Sequence, residues 1–119
     1  MKFYLGHRVN CNGGQPVTVV DFRYDGKILS SRPLYPEASQ TILGISPDGF
    51  NWSYGRAGPT LLSHAILLDL FGEETALKYY ADFIDIVSTW GDKFQVSEQD
   101  IKDWITQQKG GVLIQVEKN

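Results

Sequence analysis

A single cysteine, Cys11, and two histidines stand in a chain of 119 residues. One cysteine excludes an intramolecular disulfide framework, and with so few further soft ligands a structural zinc site is not expected. Long apolar runs are missing too. The longest, residues 65–68, falls far short of the roughly 20 residues that cross a bilayer. The opening Met1-Lys2-Phe3-Tyr4-Leu5-Gly6-His7-Arg8 turns polar too early for a signal peptide. The expected location is therefore the cytoplasm (of the host, if the protein is viral), with no membrane partner. A basic excess is also lacking. Net charge −3 and a pI near 5.2 disfavour general nucleic-acid binding.

What is present fits one globular domain over residues 1–119: 42% hydrophobic residues and three tryptophans. A chain of this length buries about 65% of its unfolded surface and holds a core without covalent staples. Charge is unevenly spread. Residues 1–58 carry six basic against four acidic residues, and residues 59–119 five against ten. Every arginine (Arg8, Arg23, Arg32, Arg56) lies in the first part. The guanidinium fork suits carboxylates and phosphates, so an anionic ligand belongs there if anywhere. Solvated surface is the plainer reading of scattered arginines.

Strand periodicity fills the first half. Phe3, Leu5, His7 and Val9 alternate with Tyr4, Gly6 and Arg8. Asn10-Cys11-Asn12-Gly13-Gly14-Gln15 is turn chemistry, and residues 17–22 are β-branched and aromatic. Asp25-Gly26 suits a hairpin turn into Lys27-Ile28-Leu29. Pro33 and Pro36 mark residues 30–40 as an extended surface connection. Residues 41–45 and 50–54 flank Ser46-Pro47-Asp48-Gly49 and predict a further hairpin, with Phe50, Trp52 and Tyr54 on one face. The expected sheet, mainly antiparallel with three to five strands, spans about residues 2–54.

Helical spacing fills the second half. Pro59 opens and Gly72 closes a helix over 59–71 that is apolar on almost every side and therefore buried. Glu73-Glu74 opens a second helix to about residue 90, with Ala76, Leu77, Tyr80, Ala81, Phe83, Ile84 and Val87 on its apolar stripe. Ser97-Glu98-Gln99-Asp100 resembles a capping box ahead of a third helix over 97–108. Residues 112–116 read as a last strand or as a disordered tail. The fold class expected is α+β.

The stretch richest in chemistry covers residues 46–60. Trp52 and Tyr54 precede Gly55-Arg56-Ala57-Gly58, and Pro59-Thr60 start a helix. A helix start offers unpaired N–H groups and the positive end of a dipole. Gly55 and Gly58 would let an anion approach the backbone, and Arg56 and Thr60 would donate to it. Pro59 removes one N–H from such a cradle, and the spacing matches neither a Walker A nor a dinucleotide fingerprint. The competing reading is a strand-to-helix turn with Trp52 and Tyr54 in the core.

Ser46-Pro47-Asp48-Gly49-Phe50, Trp52, Tyr54-Gly55, Gly58-Pro59 and the Leu/Ala-rich helix that follows resemble a family of small proteins catalogued as a domain of unknown function, found in bacteria, archaea and their phages and plasmids. The opening Tyr4, Gly6 and Arg8 are similar to that family's start. Asn51, Ser53 and Arg56 stand where the family commonly has acidic or glycine residues. The resemblance implies common descent over about half the chain and implies no activity.

Other candidates are weaker. Ser63, His64 and Asp69 spell a triad, but adjacent helix residues project about 100° apart, which keeps Ser63 from His64. His7 and His64 with Asp48 or Asp69 lack metal-ligand spacing. Cys11 has only Arg8 or His7 nearby to activate it. Asp82 and Asp85 read as the wet face of a helix. The balance is against an enzyme: no catalytic residue, metal or cofactor is expected. The function expected is that of a small accessory protein, of viral or mobile-element type, that binds another macromolecule, a protein first of all. The alternatives are a binder or enzyme holding a nucleotide-like anion at residues 55–60, and a structural subunit of a homo-oligomer.

Overall fold

The computed structural model describes residues 1–9, 14–45, 49–52 and 57–109. Within them the chain runs β1 (Lys2–His7), β2 (Val17–Phe22), β3 (Ile28–Pro33), α1 (Glu37–Leu43), α2 (Ala57–Phe71), α3 (Glu73–Val87), β4 (Lys93–Ser97) and α4 (Glu98–Gln108). The four strands form one antiparallel sheet in the order β3-β2-β1-β4. The fold is α+β.

Side chains alternate across a strand, so each strand offers the helices only half its residues. Tyr4, Val17, Val19, Phe94 and Val96 join one core cluster with Leu61, Leu62, Ile66 and Leu67 of α2, Ala76 and Phe83 of α3, and Ile101 and Ile105 of α4. Phe3, Leu5, Val20 and Phe22 lie on the opposite face, outside that cluster, where Phe3 meets Phe22 edge-on at 5.4 Å. The more apolar set of β1, Phe3 and Leu5, thus faces away from the helices. α2 is buried along residues 61–67, as its all-round apolar composition requires. No helix among the described residues is long and apolar enough to cross a membrane.

All three tryptophans sit in one aromatic chain. Trp52 packs edge-on against Phe94 at 4.8 Å, and Phe94 stacks on Trp90 at 4.2 Å. Trp90 then meets Phe83 at 6.2 Å, and Phe83 meets Trp104 at 5.0 Å. Ser97 and Asp100 form the capping box that their spacing suggested: Asp100 N–H donates to Ser97 Oγ at 3.0 Å and Ser97 N–H to Asp100 Oδ2 at 3.3 Å.

Three readings of the sequence need correction. Residues 30–40 are not an extended connection, since β3 reaches Pro33 and α1 starts at Glu37. The hairpin expected over 41–54 is absent from its described part. Thr41, Ile42 and Leu43 close α1, and residues 49–52 are not a strand. The β-branched Thr41 and Ile42 suggested a strand, but the helix is bracketed by Pro36, which presets φ at its start, and by Gly44 at its end. Gly44 has the left-handed φ of 67° and returns its N–H to the Gln40 carbonyl. Finally, β4 lies between α3 and α4, where no strand was expected. Residues 112–116 lie outside the described residues.

Candidate functional site

The segment carrying the tryptophan motif is held from three sides. From the end of β1, the Arg8 guanidinium donates to the Trp52 carbonyl and, at 3.1 Å, to Asn51 Oδ1. It also lies 4.9 Å from the Trp52 ring centroid and reaches Asp92 at 3.2 Å. The Trp52 indole N–H donates to the Gly91 carbonyl at 2.5 Å. Two glycines permit the close approaches. A Cβ on Gly6 would lie 2.0 Å from the ring of Phe94, the ring that packs on Trp52. A Cβ on Gly58 would lie 2.5 Å from Asn51 Cβ. The first turn of α2 therefore abuts residue 51 directly.

This arrangement places the residues expected to hold an anion. Trp52 is fully buried, with its ring and N–H engaged inside the protein, and Phe50 is buried beside it. The described aromatics of the motif are thus core residues and not an exposed surface. Gly58 faces Asn51, and Thr60 is half-buried in the first turn of α2. Tyr54, Gly55 and Arg56 lie outside the described residues.

A second polar centre forms where α2 ends over the sheet. Asp69 accepts a hydrogen bond from the Tyr4 hydroxyl at 2.5 Å and from Arg32 at 2.7 Å, and Lys2 Nζ lies 3.6 Å away. Burial opposes ionisation of Asp69. The hydrogen bonds from Tyr4 and Arg32, with the charges of Lys2 and Arg32, outweigh it and hold the carboxyl below its ordinary range. Burial, then the Asp69 carboxylate, pushes the Tyr4 hydroxyl well above its ordinary range, so it stays a proton donor. Glu98 accepts from the Lys2 backbone N–H at 2.5 Å and pairs with Lys102 at 2.9 Å. Beside Asp69 opens a groove of about 360 Å³, lined by Arg32, Leu34, Tyr35, Ala38, Ala65, Leu68 and Asp69. Its walls are β3 and the residues after it on one side, and α1 and α2 on the other.

The family of unknown function DUF6166 matches residues 4–107, most of the chain. This chain belongs to that family. No curated protein and no solved structure matches it. For this DUF6166 member, five of the described residues that carried the resemblance take part in one set of contacts: Gly6, Arg8, Phe50, Trp52 and Gly58. Arg8 grips Trp52, Gly6 admits Phe94, Gly58 admits Asn51, and the Gln15 N–H donates to the Phe50 carbonyl at 2.9 Å. The motif welds β1, the segment before α2 and the start of β4 into one junction.

His64 is the packed, hydrogen-bonded histidine its sequence setting suggests, but its partner and the Asp69 centre escaped the sequence reading. Ser39 and His64 are fully buried, with Ser39 Oγ 2.7 Å from His64 Nδ1. Burial pushes the His64 pKa down, so the ring is neutral, and Tyr80 covers it edge-on at 5.5 Å. Ser63 turns elsewhere and donates to the Tyr80 carbonyl at 2.6 Å. The histidine's serine partner thus comes from α1. The Asp69 centre escaped because its members stand 65 and 37 residues apart, and no local spacing links them.

Proposed function

We propose that this chain is a small protein-binding domain that captures an extended segment of its partner on the free edge of β3. The observation behind the reading is the state of that strand. All six residues from Ile28 to Pro33 are exposed, and β3 ends the sheet order among the described residues. An edge strand presents alternate N–H and C=O groups to whatever approaches, and proteins usually blunt such edges with charge, proline or a covering element. Here Arg32 and Pro33 blunt only the far end of the strand; Ile28-Leu29-Ser30-Ser31 carries no charge, and Ile28 and Leu29 are 63% and 60% exposed.

Two exposed tyrosines flank the strand, Tyr24 in the preceding turn and Tyr35 just beyond it. Ile28 also pairs with Phe22, which makes the edge continuous with the sheet face carrying Phe3, Leu5 and Phe22. The opposite edge strand is different. Lys93 and Gln95 are its exposed residues, and Phe94 and Val96 point to the core. Partners captured from a native-host extract are expected to be lost by the Ile28→Lys/Leu29→Lys variant, with its melting temperature nearly unchanged because both side chains are exposed. Full retention of those partners by the variant would contradict the proposal.

A further inference from the structure

Resting on that reading, we infer that the groove beside β3 selects the captured strand, and that it takes a segment with an apolar residue two positions from an Asp or Glu. Residues i and i+2 of a strand point to the same face. Arg32 pairs with Val19, a core-facing residue, so Arg32 stands on the helix-bearing side of the sheet. The groove opens on that side, between β3 and the α1–α2 pair. A strand added to the free edge of β3 sends alternate side chains toward it.

The lining names what those side chains should be. Leu34, Ala38, Ala65 and Leu68 form an apolar floor and wall, which suits one aliphatic or aromatic side chain, with Tyr35 beside the opening. Arg32 supplies the polar contact. Its guanidinium has five N–H donors, spends one on Asp69 and remains 45% exposed. Asp69 is shared by two cations, Lys2 and Arg32, while Glu98 is committed to Lys102 and the Lys2 N–H. The rim therefore has cationic capacity to spare. A carboxylate offered two residues from the apolar anchor meets the free side of the Arg32 fork, the geometry at which arginine outperforms lysine.

Panning a phage-displayed random dodecapeptide library against the whole chain tests this inference, followed by anisotropy titration of the selected peptides. The expected selection is enriched in apolar-x-Asp/Glu. Arg32→Gln should weaken binding at least about tenfold, the loss of one charge-assisted hydrogen bond. Ala38→Phe, which fills the groove from an exposed position of α1, should weaken it comparably and guards against a folding defect in the Arg32 variant. Peptides that lose binding with Ile28→Lys/Leu29→Lys but carry no acidic residue, and tolerate both groove variants, would overturn the groove assignment and leave strand capture standing. Peptides indifferent to the edge variant, or a library that yields no binder, would overturn both.

Discussion

Arg8 and Trp52, 44 residues apart in sequence, are joined twice: the guanidinium donates to the Trp52 carbonyl and covers its ring at 4.9 Å. A charged hydrogen bond contributes about 1.5–3 kcal/mol, and a cation–π contact about 0.5–2 kcal/mol. Arg8→Met is therefore expected to cost at least about 2 kcal/mol. Denaturant unfolding followed by tryptophan fluorescence measures it. Arg8→Lys should recover only part, because an ammonium cannot serve carbonyl, amide and ring with one planar group.

Gly6→Ala tests the same junction from the sheet side. The new methyl would stand 2.0 Å from the Phe94 ring, which is held between Trp52 and Trp90. Overpacking of this kind costs about 1–3 kcal/mol. Adding Phe94→Leu should return part of the loss, so the pair of substitutions is expected to be less harmful than the sum of each alone. Strict additivity in a double-mutant cycle would show that the two residues do not oppose one another.

Asp69 should make stability sensitive to acid. Its folded pKa lies below the unfolded value, so its contribution is complete above about pH 4 and is lost as pH falls through the folded value. Glu98, lowered by the Lys2 N–H and by Lys102, titrates in the same direction. Asp69→Asn is expected to flatten part of the acid limb of a plot of denaturation midpoint against pH. At pH 7 it should lower stability by about 1–3 kcal/mol, the effect of weakening a buried hydrogen-bonded centre. An unchanged acid limb would remove Asp69 from the centre.

His64 should act in a separate window. The fold lowers its pKa, so the unfolded chain takes up the proton first as pH falls below about 6.5. Stability should therefore decline from about pH 6.5 downward until the folded value is reached. His64→Gln, whatever its own cost, should abolish the slope between pH 7 and pH 5. A slope that persists in the variant would assign it to another group.

Local chemistry made the helical half of the fold legible. Pro59 lies in the first turn of α2, which starts two residues earlier than the sequence suggests, Gly72 follows its end, and Ser97 with Asp100 caps α4 through contacts three residues apart. What escaped was set at a distance. Lys93-Phe94-Gln95-Val96 is a weak strand on its own, and becomes β4 because β1 offers it a partner, Tyr4 opposite Val96 and Gly6 opposite Phe94. Thr41 and Ile42 favour a strand locally, yet Pro36 and Gly44 bracket a helical turn and α1 takes them instead. The site divides the same way. The family motif was visible in the sequence, but its role as a junction depends on Arg8 reaching the distant Trp52 and on Asp92 and Phe94 arriving from elsewhere. The open edge of β3 was invisible because exposure of a short apolar stretch follows from sheet order and not from the residues themselves.

Amide hydrogen exchange across residues 28–33, with and without a peptide selected on this chain, tests strand capture most directly. Alternate residues of an antiparallel edge strand direct their N–H groups away from the existing ladder. In the free protein those outward amides of β3 should exchange quickly. With peptide bound they should slow together while the ladder amides shared with β2 change little. Protection confined to other parts of the chain, such as the start of α2 at residues 57–60, with residues 28–33 unaltered, would contradict capture on this edge.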